Sequence, residues 1–239
     1  MTDAPRPCNP HLDLVAFKYP LRHLADSLKQ QRKIKIVAVG SSSTAGVNGV
    51  LPYPPRLESL SRDRYYGRMI DVINRGFSGQ ESPEELSRLE CDVIAEAPQL
   101  VIWQVGTNAV YRKVDYSFDA VQQAIAVGLS WLAHLPMDVV LMDLQYTKAI
   151  VDHVDLAEDI EARILTVGET AEVNVFRRWA LMKRWRNEGG IPLSEMDDGV
   201  DPHLHTGEWA TKCITSALDI AIAKAVGHVR GAPPPPTTV

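Results

Sequence analysis

Ser42 lies in Gly40-Ser-Ser-Ser-Thr-Ala-Gly46, a run of small residues that directly follows the β-branched stretch Ile34-Lys-Ile-Val-Ala-Val39. A strand-to-helix turn of this kind can present a serine hydroxyl at the end of a sheet and leave neighbouring N–H groups free for a developing oxyanion. The same run suits an anion-binding or purely structural turn. It is not a P-loop, because the Gly-Lys-Ser/Thr element is absent. Asn74-Arg-Gly-Phe-Ser-Gly79 brings two glycines that let backbone approach a ligand, and Gly106-Thr-Asn108 puts an amide where it can form a turn or donate into a cleft. Near the C-terminus, Asp197-Asp-Gly-Val-Asp-Pro-His-Leu-His205 offers carboxylates beside imidazoles. That set can be the acid and base of a triad, a metal site on His203-x-His205, or a solvated loop. A metal would need third and fourth ligands; Asp143 could supply one, but no second His or Cys cluster completes the set, so no metal is expected.

These segments need elements to position them. Helices are expected at Leu14 to Gln31 (interrupted at Pro20), from Pro55, from Ser82 to Ala97, Ser117 to Leu135, Asp155 to Thr170, Arg178 to Asn187 and Thr206 to Val226. Ser82-Pro-Glu-Glu85 reads as a capping box with proline at the first helical position. Strands are expected at Ile34–Val39, Met69–Asn74, Leu100–Val105, Asp138–Met142 and Glu172–Phe176. Five apolar strands alternating with helices predict a three-layer α/β/α domain on a parallel sheet. Ligands in such sheets sit beyond the carboxyl ends of the strands, where strand order reverses. The chemically unusual segments all follow strands, as that rule requires.

Composition agrees with one compact domain. The 239 residues are 45% hydrophobic and 23% charged. The expected layout is an N-terminal extension and helix over 1–32, a domain over 33–230, and a proline-rich disordered tail over 231–239. A net charge of −5 without a basic stripe argues against nucleic acid. No stretch reaches the roughly 18 apolar residues of a membrane span. Cys8, Cys91 and Cys213 are sparse and odd in number, so a disulfide framework is not expected and a reduced compartment fits. With no secretory signal at Met1-Thr-Asp-Ala, a cytoplasmic location is expected unless an export signal has been removed.

The order Gly-x-Ser, Gly, Gly-x-Asn, then Asp/His before the last helix resembles the SGNH (GDSL-like) hydrolases over about residues 33–227. It is most similar to bacterial members that read Gly-Ser-Ser-Ser-Thr-x-Gly where others have Gly-Asp-Ser. Asp92-Val-Ile-Ala-Glu-x-Pro, Val101-Ile-Trp-Gln-x-Gly-Thr-Asn108, Val139-Val-Leu-Met-Asp143 and Val175-Phe-Arg-Arg-x-Ala-Leu-Met182 extend the resemblance. It implies a flavodoxin-like five-stranded sheet and a serine esterase acting on a small-molecule or carbohydrate ester, with short acyl or acetyl groups favoured and no cofactor. Ser42 would be the nucleophile and one oxyanion donor, Gly76 N–H the second donor, and Asn108 the third. A histidine before the final helix would be the base.

Two departures stand out. Ser41 replaces the motif's aspartate, and neither histidine has the Asp-x-x-His spacing, since Pro202 and Val200 lie three residues before His205 and His203. In the related pattern the histidine leads into a helix with apolar or small residues four, eight and nine positions on. Matching that phase selects His205, followed by Trp209, Cys213 and Ile214, whereas His203 would bury Lys212. The acid is Asp201 or Asp198, with Asp201 preferred as the nearer. The rival readings are a non-catalytic anion- or sugar-binding module, and an acyltransferase sharing the acyl-enzyme. Asp143, Gln145, Tyr111, Arg112 and Tyr146 are candidates for the cleft. Trp103, Trp131, Trp179 and Trp185 are expected in the core, Arg177-Arg178 in surface ion pairs, and Cys91 and Cys213 as inert small hydrophobes.

Overall fold

A computed structural model describes residues 6–227; the tail expected over 231–239 lies outside them. The sheet has five parallel strands, β1 (Lys33–Gly40), β2 (Met69–Gly76), β3 (Leu100–Gln104), β4 (Asp138–Met142) and β5 (Asn174–Phe176), in the order β2-β1-β3-β4-β5. Every residue of β3 is buried, as a central parallel strand covered on both faces must be. Helices Tyr53–Arg64 and Glu208–Gly227 pack together on one face, and Phe118–Leu132 packs with Ser82–Ser87 and Val154–Thr170 on the other. This is the three-layer α/β/α fold.

Register positions the chemistry. Gly40 pairs with Gly76 and Val39 with Trp103; Gln104 pairs with Met142, and Met142 with Phe176. The five strands therefore finish nearly level, and the residues that follow them share one edge. Strand order reverses between β1 and β3, which opens the crevice there. Ser42 follows β1 and Asn108 follows β3.

Several expectations about elements change. The first helix divides into Leu12–Val15 and Arg22–Gln30 around Pro20. Tyr19, in the gap, exchanges two backbone hydrogen bonds with the Asn174 side chain (2.9 and 2.8 Å). Leu21, Leu24 and Leu28 are buried in the common core, so residues 6–32 pack as part of the domain. The helix expected over Ser82 to Ala97 is three short turns: Ser82–Ser87, Leu89–Asp92 and Ile94–Glu96. Its cap is Glu81, not Ser82. Glu84 returns a bond to the Glu81 N–H at 3.1 Å, while Ser82 spends its hydroxyl on the Val121 carbonyl at 3.0 Å.

The cysteine expectation is overturned for two residues. Cys8 and Cys213 form a disulfide across a sequence separation of 205, and exposed Cys91 stays free. The bridge fastens the N-terminal segment to the final helix, where Trp209 Nε1 also donates to Arg6 O at 3.0 Å and Trp185 Nε1 to Asn9 O at 2.7 Å. Spacing hid this pair because the chain ends meet only in the folded state. Trp103, Trp179 and Trp185 are buried, but Trp131 is 48% exposed at the end of its helix.

Candidate active site

Ser42 is the first residue of a one-turn helix, Ser42–Ala45, with Ser41 as its N-cap. The turn is held from β3. Gln104 Oε1 accepts the Ser41 N–H at 3.1 Å, the Ser41 hydroxyl at 2.9 Å and the Thr44 hydroxyl at 3.4 Å. That acceptor explains Ser41 in physical terms, since an ionised aspartate has no proton to offer an amide oxygen. From β2, Asn74 Nδ2 donates to the Thr44 carbonyl at 2.7 Å. The Ser42 N–H has no acceptor among the described residues, as expected at the start of a helix.

Gly76 is placed differently from the expectation that its N–H faces an oxyanion. It donates to Asn74 Oδ1 at 2.9 Å. A Cβ at position 76 would stand 2.2 Å from Ala45 N, so the glycine lets β2 touch the nucleophile's helix. Gly79 has the free donor. It turns with φ +82°, its carbonyl accepts Arg112 Nη1 at 2.8 Å and the Tyr116 hydroxyl at 3.2 Å, and its N–H has no acceptor among the described residues. The resemblance implied Gly76 as the donor, whereas the geometry leaves the Gly76 N–H bonded to Asn74 and the Gly79 N–H without an acceptor among the described residues.

Asn108 is 3% exposed and uses one amide proton on the Gln80 carbonyl at 2.7 Å, which sets it against the Gly79 turn and leaves its second proton available. Its short helix, Thr107–Tyr111, is fixed by the buried Glu81 carboxylate, which accepts N–H from Gly106 at 2.8 Å and from Ala109 at 3.0 Å. Burial pushes the Glu81 carboxyl above its usual range, and these N–H bonds act in the opposite sense.

The imidazole in contact with Ser42 is that of His205, with Nε2 at 2.8 Å from Oγ. Burial holds its pKa below the usual value, with the Asp198 charge pulling upward as the smaller effect. Asp198 Oδ2 stands 3.7 Å from His205 Nδ1, and the Asp198 side chain is 1% exposed. An antiparallel bridge between Asp197 and Thr206 makes this juxtaposition, with Asp198 N–H donating to His205 O at 3.0 Å and Gly207 N–H to Met196 O at 2.8 Å. Asp201, the acid preferred from its proximity in sequence, stands exposed on the turn and makes no hydrogen bond or ion pair among the described residues. The hairpin-like pairing carries Asp198 across from His205 and leaves Asp201 at the bend. His203 turns away to Asp197 Oδ1 at 3.2 Å.

The other cleft candidates divide. Asp143 is fully buried and accepts Trp179 N–H at 2.9 Å, and burial pushes its carboxyl well up. Gln145 is also fully buried. Arg178 is buried with its Nε on the Asp143 carbonyl at 3.1 Å, whereas Arg177 pairs with Glu161 at 3.2 Å. Tyr146 is buried against Trp179, and Tyr111 stays 39% exposed. Beside Ser42 and His205 lies a pocket of about 20 Å³ lined by Gly46, Val47, Val50, Pro52, Thr206 and Thr211.

Solved structures with the same fold include a catalytic mutant of Axe2, an acetylxylan esterase from Geobacillus stearothermophilus. It shows 18% identity and a TM-score of 0.65, covering 81% of this chain and 94% of that one. A lipase/acylhydrolase from Enterococcus faecalis shows 19% identity and a TM-score of 0.66, covering 79% and 95%. A putative lipolytic protein of the G-D-S-L family from Desulfitobacterium hafniense DCB-2 shows 20% identity and a TM-score of 0.63, covering 78% and 98%. No curated protein matches the chain. The sequence itself matches the Non-GDSL lipase-like family over residues 7–228, nearly its full length. With the SGNH-type fold built around the strand-end segments described above, the chain belongs to the Non-GDSL lipase-like family of ester-hydrolysing enzymes.

Proposed function

We propose that the protein is a serine esterase that works through an acyl-enzyme on Ser42. The observation that carries this reading is the 2.8 Å contact between Ser42 Oγ and His205 Nε2, within the range of a proton-transferring hydrogen bond. With a proton on Nδ1 toward Asp198, the neutral imidazole accepts the Ser42 proton at Nε2 as Oγ attacks the ester carbonyl. The Ser42 N–H, the Gly79 N–H and the second amide proton of Asn108 are the donors for the resulting oxyanion. Gly79 replaces Gly76 in that set because the Gly76 N–H is already bonded to Asn74. His205 then gives its proton to the departing alcohol, takes one from the water that attacks the acyl group, and returns it to Ser42 Oγ as the carboxylic acid leaves.

A short acyl group such as acetyl is the first to test, because the pocket beside Ser42, walled by Val47, Val50 and Pro52, has room for little more than one water-sized group. The acetylxylan esterase among the structural neighbours makes an acetylated carbohydrate a reasonable first substrate class. The Cys8–Cys213 bridge favours an oxidising compartment over the reducing cytoplasm expected from cysteine number. A fluorophosphonate probe tests the reading, because it reacts only with an activated serine. Mass analysis of the labelled protein should find the adduct on Ser42, and an unlabelled protein or a label elsewhere would contradict the mechanism.

A further inference from the structure

We infer that Gln145 is the positioning residue that sets the approach of His205 to Ser42, by tying the turn beside the nucleophile to the residue beside the base. The inference rests on the reading of Ser42 and His205 as the reacting pair.

Gln145 lies just past β4 and is 0% exposed, so it cannot reach substrate. Its Oε1 accepts the Ser43 hydroxyl at 3.0 Å, and its Nε2 donates to the Leu204 carbonyl. Ser43 adjoins Ser42 and Leu204 adjoins His205. One buried amide therefore closes a ring whose other closure is the 2.8 Å contact from Ser42 Oγ to His205 Nε2. The orientation of the amide is forced, because Leu204 offers only an acceptor and the Nε2 end must face it.

Other ties hold one side at a time. Thr147 Oγ1 donates to the same Leu204 carbonyl at 2.8 Å but bonds to nothing on the nucleophile's turn. Ala149 N–H donates to His203 O at 3.2 Å, and Asn48 Nδ2 holds the Asp198 carboxylate at 2.7 Å. These fix the histidine loop to its surroundings. Gln145 alone among the described residues bonds to the sequence neighbours of both members of the pair, which lie 163 positions apart. Loss of this link should let the histidine segment shift by a fraction of an ångström to an ångström, a displacement able to cost up to about 100-fold in rate.

The test compares wild type, Gln145→Ala and Thr147→Val in the full-length protein, reading fluorophosphonate labelling rate, kcat, KM and Tm. Gln145→Ala should slow both labelling and kcat about 10- to 100-fold with KM changed less than about threefold. Thr147→Val loses a bond to the same carbonyl and should lower Tm, yet label within about threefold of wild type. A folded Gln145→Ala that labels at the wild-type rate overturns the inference, and so does a Thr147→Val that slows as much as Gln145→Ala. If Gln145→Ala does not fold, Ser43→Ala cuts the same link at its other end; slower labelling supports the inference and an unchanged rate overturns it. A wild-type protein that never labels overturns the proposed function itself, and this inference with it.

Discussion

Asn48 Nδ2 donates to Asp198 Oδ2 at 2.7 Å, and that same oxygen stands 3.7 Å from His205 Nδ1. At that separation the carboxylate acts on the imidazole as a nearby charge and not through a short hydrogen bond. Its second oxygen accepts the Val200 N–H at 3.1 Å, so Asn48 and the loop backbone together hold the acid behind the base. A pinned carboxylate of this kind can keep the Nδ1 proton facing it and stabilise the imidazolium formed during attack.

Asp198, rather than Asp201, should therefore support catalysis. Asp198→Ala is expected to lower kcat at least about tenfold, and Asp201→Ala to change it less than about twofold. Steady-state kinetics on a short p-nitrophenyl ester decide between them; equal losses, or a larger loss at Asp201, would contradict the geometry.

The pH profile follows from burial of the base. His205 must be neutral to accept the Ser42 proton, and burial holds its pKa below the usual imidazole value, so it is already neutral at lower pH than a free histidine. The acid limb of kcat/KM should accordingly have its midpoint below about 6.5, activity being lost as pH falls through it. Because the Asp198 charge raises that pKa, Asp198→Asn should move the limb further toward acid while lowering the plateau. A midpoint above the usual value would mean that desolvation is not the dominant influence.

Asn108 tests the oxyanion site. Asn108→Ala should lower kcat by about 10²–10³ with little change in KM. A structure of the fluorophosphonate adduct should show the phosphoryl oxygen within hydrogen-bond reach of the Ser42, Gly79 and Asn108 N–H groups. An oxygen bound to Gly76 N–H, with the Asn74 bond broken, would restore the donor that sequence resemblance suggested.

Much of this arrangement was readable from residue order. The five strands followed from β-branched runs, a local signal, whereas the glycine-bounded Ser42 turn and the helix phase after His205 pointed to a reacting pair only through the family resemblance. The placement of Gly79 and the Cys8–Cys213 bridge were not readable, and of the two candidate acids sequence proximity ranked Asp198 second. Asp198 faces His205 through an antiparallel pairing that proximity in sequence hides, Gly79 differs from Gly76 only in where its N–H points, and Cys8 meets Cys213 only when the chain ends dock. The fully buried Gln145 and Glu81 carry no sequence mark of their partners either.

The disulfide should matter for stability. Closing a loop across a separation of 205 removes chain entropy worth about 5 kcal/mol from the unfolded state on the simplest model. Cys8→Ser should lower Tm by about 5–15 °C in the absence of reductant, and Cys91→Ser should leave it nearly unchanged. Equal Tm values for Cys8→Ser and wild type would show that the bridge does not form in the folded protein.

The central claim is that Ser42, activated by His205, is the nucleophile, and hydrolysis of a short p-nitrophenyl ester by Ser42→Ala tests it most directly. Turnover should fall by at least about 10³-fold while circular dichroism and Tm stay close to wild type. A folded Ser42→Ala that hydrolyses the ester at the wild-type rate would contradict the account.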